Sequence, residues 1–226
     1  MLRAAAGLLA CVLLAGCSTG TQDPPAAEPP ATPDVPSAAE AGELLADLTV
    51  APRTPDGPAY DRDAFGTAWA DTDGNGCNQR DDVLLRDSVP DTVTVAQQGR
   101  CDHDVLAGTW VDPYTGRTLT FDDLKDLHQA QAIQIDHVVP LAEAWRSGAS
   151  AWSDARRHRF ANDLTVLLAA DGPTNAAKGD DDPAAWRPRK AFQCEYAERW
   201  VAVKSRWSLA VDRSERRALE EMLAYC

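Results

Sequence analysis

The residues best suited to acid–base or metal chemistry are a carboxylate and an imidazole at adjacent positions, Asp136 and His137. They follow a short β-branched run at 133–135, which favours a strand, and Pro140 ends that strand because proline has no N–H to donate. Successive side chains on a strand point to opposite faces, so one of the pair can hold a metal while the other faces a substrate. The alternative is a half-buried strand that ends in two solvated polar residues.

The elements that must position this pair follow it in the chain. Short helices are predicted over 141–146 and about 153–160, and a second strand is predicted from Asn162 to Leu168. Turn residues at 171–173 end that strand. The sequence therefore predicts a strand, a helical connection, a second strand and a turn.

A further helix is predicted after the turn, with Thr174 as its N-cap. This helix carries Asn175 and Lys178, which are three residues apart and therefore lie on one face. An amide oxygen beside an ammonium group suits the binding of a hard cation and a phosphate.

Asp136-His137, Asn162 and Asn175-x-x-Lys178 together resemble the HNH endonuclease family. The resemblance spans 136–180. It implies an α+β fold with a ββα-metal (HNH) core at about 133–180, with flanking helices and a small hairpin. Asp136 and Asn175 would then hold one divalent cation, Mg²⁺ or Mn²⁺. His137 would be the general base, Asn162 would brace the loop that orients it, and Lys178 would contact phosphate.

Two features depart from the commoner pattern of that family. Asn175 stands where many members carry His, as in the HNN subset, and the cysteine pairs that bind a structural zinc around the core of many relatives are missing from the sequence. Another device must therefore hold the small core together.

The resemblance implies metal-dependent hydrolysis of nucleic-acid phosphodiester bonds by a monomeric endonuclease. DNA is the expected substrate, with RNA left open, and we expect no sequence specificity because no base-reading module is found. The alternative is a lipid-anchored, calcium-stabilised binding or cell-envelope module with an inactive HNH fold. The presence of His137 argues against a decayed site.

The N-terminal region predicts export. Residues 1–16 resemble a bacterial lipoprotein signal, and Leu14-Ala15-Gly16-Cys17 resembles the site where Cys17 receives a lipid. This places the protein on the extracytoplasmic face of the cell membrane; a plain secreted protein is the alternative. Residues 17–51 are rich in Pro and Ala and predict a disordered tether. Residues 52–226 then form the nuclease domain.

Four cysteines remain in the mature chain and allow three disulfide pairings in an oxidising compartment: Cys77, Cys101, Cys194 and Cys226. We favour Cys77–Cys101 and Cys194–Cys226. An apolar helical stripe at 192–207 is followed by a capping box and a last helix. If the two helices are antiparallel, Cys194 and Cys226 meet, and their disulfide replaces the missing zinc.

An acidic loop resembles an EF-hand calcium site. Asp71, Asp73 and Asn75 occupy loop positions one, three and five, Gly76 occupies position six and Asp82 position twelve. The last ligand is shorter than the usual Glu. A turn that leads into a disulfide at the next residue explains the same composition, so a second, calcium-binding site is one of two interpretations.

The net charge of −13 is unusual for a protein that binds nucleic acid, but it is unevenly distributed. Residues 1–137 contain 8 Lys/Arg and 22 Asp/Glu, a net charge of −14, whereas residues 138–226 contain 14 and 13, a net charge of +1. The cations expected to border a phosphate path are Arg156, Arg157, Arg159, Lys178, Arg187, Arg189, Lys190 and Arg206. The weak net attraction predicts modest affinity with little sequence preference.

Overall fold

The computed structural model describes residue 1, residues 34–52 and residues 58–226. The α-helices of these residues are α1 (Ala38–Asp47), α2 (Gln79–Asp87), α3 (Leu127–Ala132), α4 (Leu141–Arg146), α5 (Asp154–Ala161), α6 (Gly172–Lys178), α7 (Gln193–Trp207) and α8 (Arg213–Leu223). The strands are β1 (Thr94–Gln98), β2 (Cys101–Val111), β3 (Thr118–Phe121), β4 (Ile133–His137) and β5 (Leu167–Asp171). The α+β class predicted from the sequence is confirmed. None of the helices in the described ranges is long and apolar enough to cross a membrane.

The strands form two separate antiparallel sheets. β1, β2 and β3 follow one another in a three-stranded sheet, and β4 pairs only with β5. In the second sheet Asp136 lies opposite Leu168 and His137 opposite Leu167. α6 begins directly after β5, so the chain forms a β-pair followed by a helix, in the order predicted from the sequence.

Strand β4 lies between two apolar clusters because its side chains alternate. Ile133 and Ile135 are buried in the smaller cluster, which contains Trp110 of β2. Val138 and Val139, just past the end of β4, enter the larger cluster, which is built mainly on α4, α5, α7 and α8. Asp136 points away from Ile133 and Ile135, so a carboxylate is held at the boundary of the two cores.

Two arginines fasten α2 to the second sheet. Arg86 donates to the carbonyl oxygens of Leu164 and Leu167 at 2.7 and 2.8 Å. Arg80 donates to the carbonyl oxygens of Ala130 and Ile133 at 2.9 and 3.2 Å. These bonds engage carbonyl groups at or near the starts of β4 and β5, so the acidic N-terminal half becomes part of the frame of the site.

Both predicted disulfides are present. Cys77–Cys101 joins the segment before α2 to the start of β2, and Cys194–Cys226 joins the start of α7 to the end of the chain. The capping box predicted at Asp212 and Glu215 begins α8. A disulfide that closes a loop of this size stabilises a small domain by about 2–4 kcal/mol.

Three local predictions need correction. Part of the predicted disordered tether forms α1, which is capped by Ser37 and buries Ala41 and Leu45 against the domain. The second strand begins at Leu167, because Asn162 is instead the C-cap of α5.

The third correction concerns the cap of α6. The helix begins at Gly172, and the side chain of Asp171, not that of Thr174, accepts the capping hydrogen bond. A Cβ at Gly172 would lie 2.5 Å from the Gln131 carbonyl oxygen, so only glycine lets α6 start this close to α3. The signal and the lipidation residue Cys17 lie outside the described residues.

Candidate active site

A cleft of about 560 Å³ opens where β4, the start of α4 and α6 meet. Its lining includes Asp136 and Asn175, which the sequence analysis assigned to a cation, and His137, which it assigned as the general base. Tyr60 and Arg62, which precede the buried Phe65 in the chain, also line the cleft. The residues predicted to act together therefore share one concave surface.

The ring of His137 is held in one tautomer. Its Nε2 lies 2.9 Å from the carbonyl oxygen of Ala161, and because a carbonyl can only accept, Nε2 carries the proton. Nδ1 is then the basic nitrogen, and no hydrogen bond from the described part of the chain engages it. Burial lowers the pKa of His137 to about 4, so the ring is neutral at neutral pH.

The carboxylate of Asp136 is buried between a lysine and a tyrosine. Lys178 Nζ lies 2.9 Å from Oδ2 and 3.1 Å from Oδ1, and it also donates to the carbonyl oxygen of His137 at 2.9 Å. The hydroxyl of Tyr114 donates to Oδ2 at 2.5 Å. Burial and the charge of Asp136 raise the pKa of Tyr114 well above its ordinary value, so this hydroxyl remains a donor.

Lys178 thus has a different place from the one predicted. Its side chain is fully buried, because α6 packs this face onto β4, and its ammonium group is directed at Asp136 and a backbone carbonyl. Because the ammonium of Lys178 is not exposed, it does not reach a phosphate in the cleft as predicted from the sequence. Lys178 instead positions Asp136 and fastens α6 to the end of β4.

Asn175 lies at the cleft with a defined side-chain orientation. Its Nδ2 donates to Gln134 Oε1 at 2.9 Å, which leaves the amide oxygen as its available acceptor. The carboxylate of Asp136 has two donors, Tyr114 and Lys178, and can accept roughly four hydrogen bonds, so it keeps acceptor capacity. The two residues therefore offer the hard oxygen atoms that Mg²⁺ or Mn²⁺ prefers, and the donor set fits the cation that the resemblance implies.

Asn162 is fully buried and organises the wall behind His137. Its Oδ1 accepts from the Ala70 amide at 2.9 Å, and its Nδ2 donates to the carbonyl oxygens of His158 and Thr67 at 3.0 and 3.3 Å. The neighbouring residue in the chain supplies the carbonyl that binds His137.

The Asn162 bonds also fix Trp69 beside the imidazole. The indole stacks on the ring of His137 with centroids 6.3 Å apart and planes at 21°. Trp69 has a positive φ of 57°, a backbone conformation that costs energy for a residue of this size. A strained residue held against the candidate base indicates that the ring position matters.

Most cations expected along a phosphate path have partners within the protein. Arg157 donates to the carbonyl oxygens of Ala64, Ala149 and Trp152 and pairs with Asp154. Pairs also form between Arg206 and Asp163 and between Arg187 and Glu221. These arginines mainly join structural elements. Their guanidinium groups therefore do not form a continuous row of free cations for phosphates to follow.

The acidic loop is closed by its own hydrogen bonds. Asp71 accepts from the amides of Gly74 and Gly76 at 2.7 and 3.1 Å, and Asn75 Nδ2 donates to Asp82 Oδ1 at 2.9 Å. His103 Nε2 lies 2.7 Å from the same oxygen of Asp82. Asp73 accepts from the Asn75 amide. Calcium binding by Asp71, Asp73, Asn75 and Asp82 stays a prediction.

Sequence reasoning missed four contributors to the site: Arg62, Trp69, Tyr114 and the carbonyl of Ala161. Tyr114 and Trp69 come from segments far from β4 in the chain, and no periodicity links them to it. An aromatic residue next to a turn, as in Pro113-Tyr114, was the available signal for one of them.

The comparisons with known proteins agree with a nuclease-type domain. Residues 78–222 match the family model described as "GmrSD restriction endonucleases, C-terminal domain". An "Uncharacterized secreted protein" of Arthroderma benhamiae is 40% identical over 200 residues, covering 87% of this chain and 90% of the relative. The matched range includes β4, β5, α6 and both residues of the Asp-His pair. The chain therefore belongs to the family of GmrSD restriction endonuclease C-terminal domains.

Proposed function

We propose that this protein is an exported, metal-dependent endonuclease that hydrolyses nucleic-acid phosphodiester bonds with His137 as general base. The observation that carries the proposal is the fixed tautomer of His137, whose Nε2 is held by the Ala161 carbonyl while the residue lines the same cleft as Asp136 and Asn175. Membership of a family described by restriction endonucleases supports the same reaction class.

In the proposed reaction, Nδ1 of His137 takes a proton from a water molecule in the cleft. The water oxygen forms a bond to phosphorus as the bond to the 3′ oxygen breaks, and the leaving 3′ oxygen takes a proton from solvent water. The products carry 5′-phosphate and 3′-hydroxyl ends, as the HNH resemblance implies, and His137 returns its proton to solvent. A neutral imidazole is required, and the lowered pKa of His137 keeps it neutral at neutral pH.

Asp136 and Asn175 would hold the divalent cation through a carboxylate and an amide oxygen. The cation, when bound, stabilises charge on the phosphate and the leaving oxygen. Lys178 and Tyr114 hold Asp136 in place, while Gln134 orients the amide of Asn175. The small protein donor set supports dependence on added Mg²⁺ or Mn²⁺.

DNA is the proposed substrate, with RNA as the alternative outcome of the same assay. Export is supported by the two disulfides and by a relative named as a secreted protein. A lipid on Cys17 is a separate proposal that rests on the sequence at 14–17. Mass spectrometry of the mature N-terminus tests it, and an unmodified terminus away from Cys17 would refute it.

The test of the activity is cleavage of supercoiled plasmid and of labelled RNA by the purified protein with Mg²⁺, Mn²⁺ or EDTA. His137→Ala should lower the rate by about 10²–10⁴-fold, because a positioned general base is lost. His128→Ala is the matched control, since His128 lies exposed on α3 and does not line the cleft.

Equal cleavage by wild type and His137→Ala would refute the proposal and identify a contaminating nuclease. A folded wild-type protein that cleaves nothing with either cation would favour the inactive binding module instead.

A further inference from the structure

The cleft has one cationic side chain along its lining, that of Arg62. The other candidate cations near it, as far as the structure describes the chain, are already paired. Lys178 is buried against Asp136, and Arg146 pairs with Glu143 and Asp180. Arg62 is exposed and makes no ion pair with a described residue.

The segment that carries Arg62 is fixed to the larger core. Phe65 is 1% exposed and packs against Trp145 and Phe160. The indole N–H of Trp145 donates to the Pro58 carbonyl at 2.8 Å, and Tyr60 packs edge-on against the same indole. The backbone on both sides of Arg62 is thus anchored, which places Arg62 at the cleft.

The two carboxylates that line the cleft with Arg62, Asp136 and Asp180, each pair with another cation. The chain neighbours of Arg62, Asp61 and Asp63, line a separate surface hollow. The positive charge of Arg62 contributes to the lowered pKa of His137, after the larger effect of burial, which indicates that the two groups are close. The positive charge of Arg62 also opposes the rise that burial causes in the pKa of Tyr60, which lines the same cleft.

We propose that Arg62 is a substrate-binding catalytic residue whose guanidinium contacts the non-bridging oxygens of the scissile phosphodiester. The inference rests on the proposed nuclease function. A guanidinium offers paired N–H donors that match two phosphate oxygens, and negative charge grows on those oxygens as water attacks. Arg62 would then make the phosphate contact that the sequence analysis assigned to Lys178, whose ammonium is buried. It lies outside residues 78–222, so this contact comes from a segment that the family match does not include.

The experiment compares Arg62→Gln, Arg62→Lys and Arg217→Ala with wild type in the plasmid assay at saturating Mg²⁺. Arg62→Gln keeps much of the side-chain length but loses the charge, and kcat/KM should fall by about 10²-fold, the size of effect seen when one donor to a developing oxyanion is removed. Arg62→Lys should recover part of that loss. Arg217→Ala removes an equal charge from an exposed position on α8, which does not line the cleft, and should stay within twofold of wild type.

Each result is decisive because folding is measured in parallel by thermal unfolding. If the wild type cleaves and Arg62→Gln stays within twofold of it, the role of Arg62 is refuted and the nuclease function is left intact. Equal losses in Arg62→Gln and Arg217→Ala also refute it, since the effect is then one of net charge. Failure of the wild type to cleave refutes both the function and this inference.

Discussion

Two lysines are fully buried in this protein, and they have different surroundings. Lys204 of α7 lies 2.9 Å from Glu143 and 2.5 Å from Glu215, and it donates to the Ala210 carbonyl at 2.8 Å. Lys178 of α6 has one carboxylate partner, Asp136. The first lysine joins three helices, α4, α7 and α8, whereas the second holds a carboxylate that lines the cleft.

The difference separates a structural charge cluster from one that can serve chemistry. Around Lys204, both glutamates contact the ammonium and each has a further donor: Arg146 pairs with Glu143, and Trp200 Nε1 donates to Glu215 at 2.6 Å. Burial raises the pKa of Glu215, and Lys204 opposes that rise. Around Lys178, the carboxylate keeps capacity for another partner and borders the cleft. Only the second arrangement can bind something from solution without dismantling the core.

The largest stability effect is expected for Lys204→Met. It leaves Glu215 buried without its cation and takes one of two cations from Glu143, which still pairs with Arg146; removal of one partner from a buried ion pair costs about 3–5 kcal/mol. Chemical denaturation should show this loss. The cleavage rate per folded molecule should stay close to that of wild type, because Lys204 does not line the cleft.

A smaller loss of stability, about 2 kcal/mol, is expected for Lys178→Met, because a single carboxylate loses its cation and Tyr114 still donates to it. Cleavage per folded molecule should fall clearly, since Asp136 and the end of β4 lose their fixed positions. Equal activity losses in the two methionine variants would remove the functional distinction between the lysines.

The sequence predicted much of the frame of this site but little of its interior. The β-pair, the helix that follows it and both disulfides could be predicted, because strand periodicity, turn residues and helix caps act locally. The direction in which the Lys178 side chain points could not be predicted. Its spacing from Asn175 suggested a shared outward surface, but packing of α6 on β4 turned the ammonium inward.

Tyr114 and Arg62 were missed for a similar reason. Tyr114 reaches Asp136 from the turn between β2 and β3, and Arg62 reaches the cleft from a segment that precedes α2. Contacts of this kind depend on how the two sheets and the larger core are arranged, which no local pattern specifies. Helix α1 was assigned to the tether, with only a weak amphipathic signal at 43–48, because its mostly small and acidic residues resemble those of a tether, although two of them are buried.

Tyr114→Phe sharpens the comparison from the tyrosine side. It removes one donor to the Asp136 carboxylate while keeping the ring in its aromatic cluster with Trp186, Phe192 and Tyr196. A hydrogen bond to a charged group contributes about 1.5–3 kcal/mol, and Lys178 still neutralises the carboxylate, so the loss of stability should be near the lower figure.

Cleavage should fall less in Tyr114→Phe than in Lys178→Met. Denaturant midpoints and initial rates measured on the same preparations test both expectations. A tyrosine variant that is more severely impaired than the lysine variant would show that the hydroxyl, not the ammonium, holds Asp136.

The smallest effect is expected from a third buried pair, in which the cation titrates. His103 contacts Asp82 and Asp102 at 2.7 and 2.6 Å, and its net pKa is raised above 6.5, because these carboxylates outweigh the opposing effect of burial. A histidine whose folded pKa is raised stabilises the fold fully below its unfolded pKa of about 6.5 and loses that contribution as pH rises through the folded value.

The free energy of unfolding of the wild type should therefore decrease from pH 6 towards pH 8, and His103→Gln should flatten that slope. His128→Gln, on an exposed histidine of α3, is the control and should keep the wild-type slope. An unchanged slope in His103→Gln would mean that the Asp82 pair carries no proton-linked stability, and that the acidic loop is held by Asn75 and the disulfide alone.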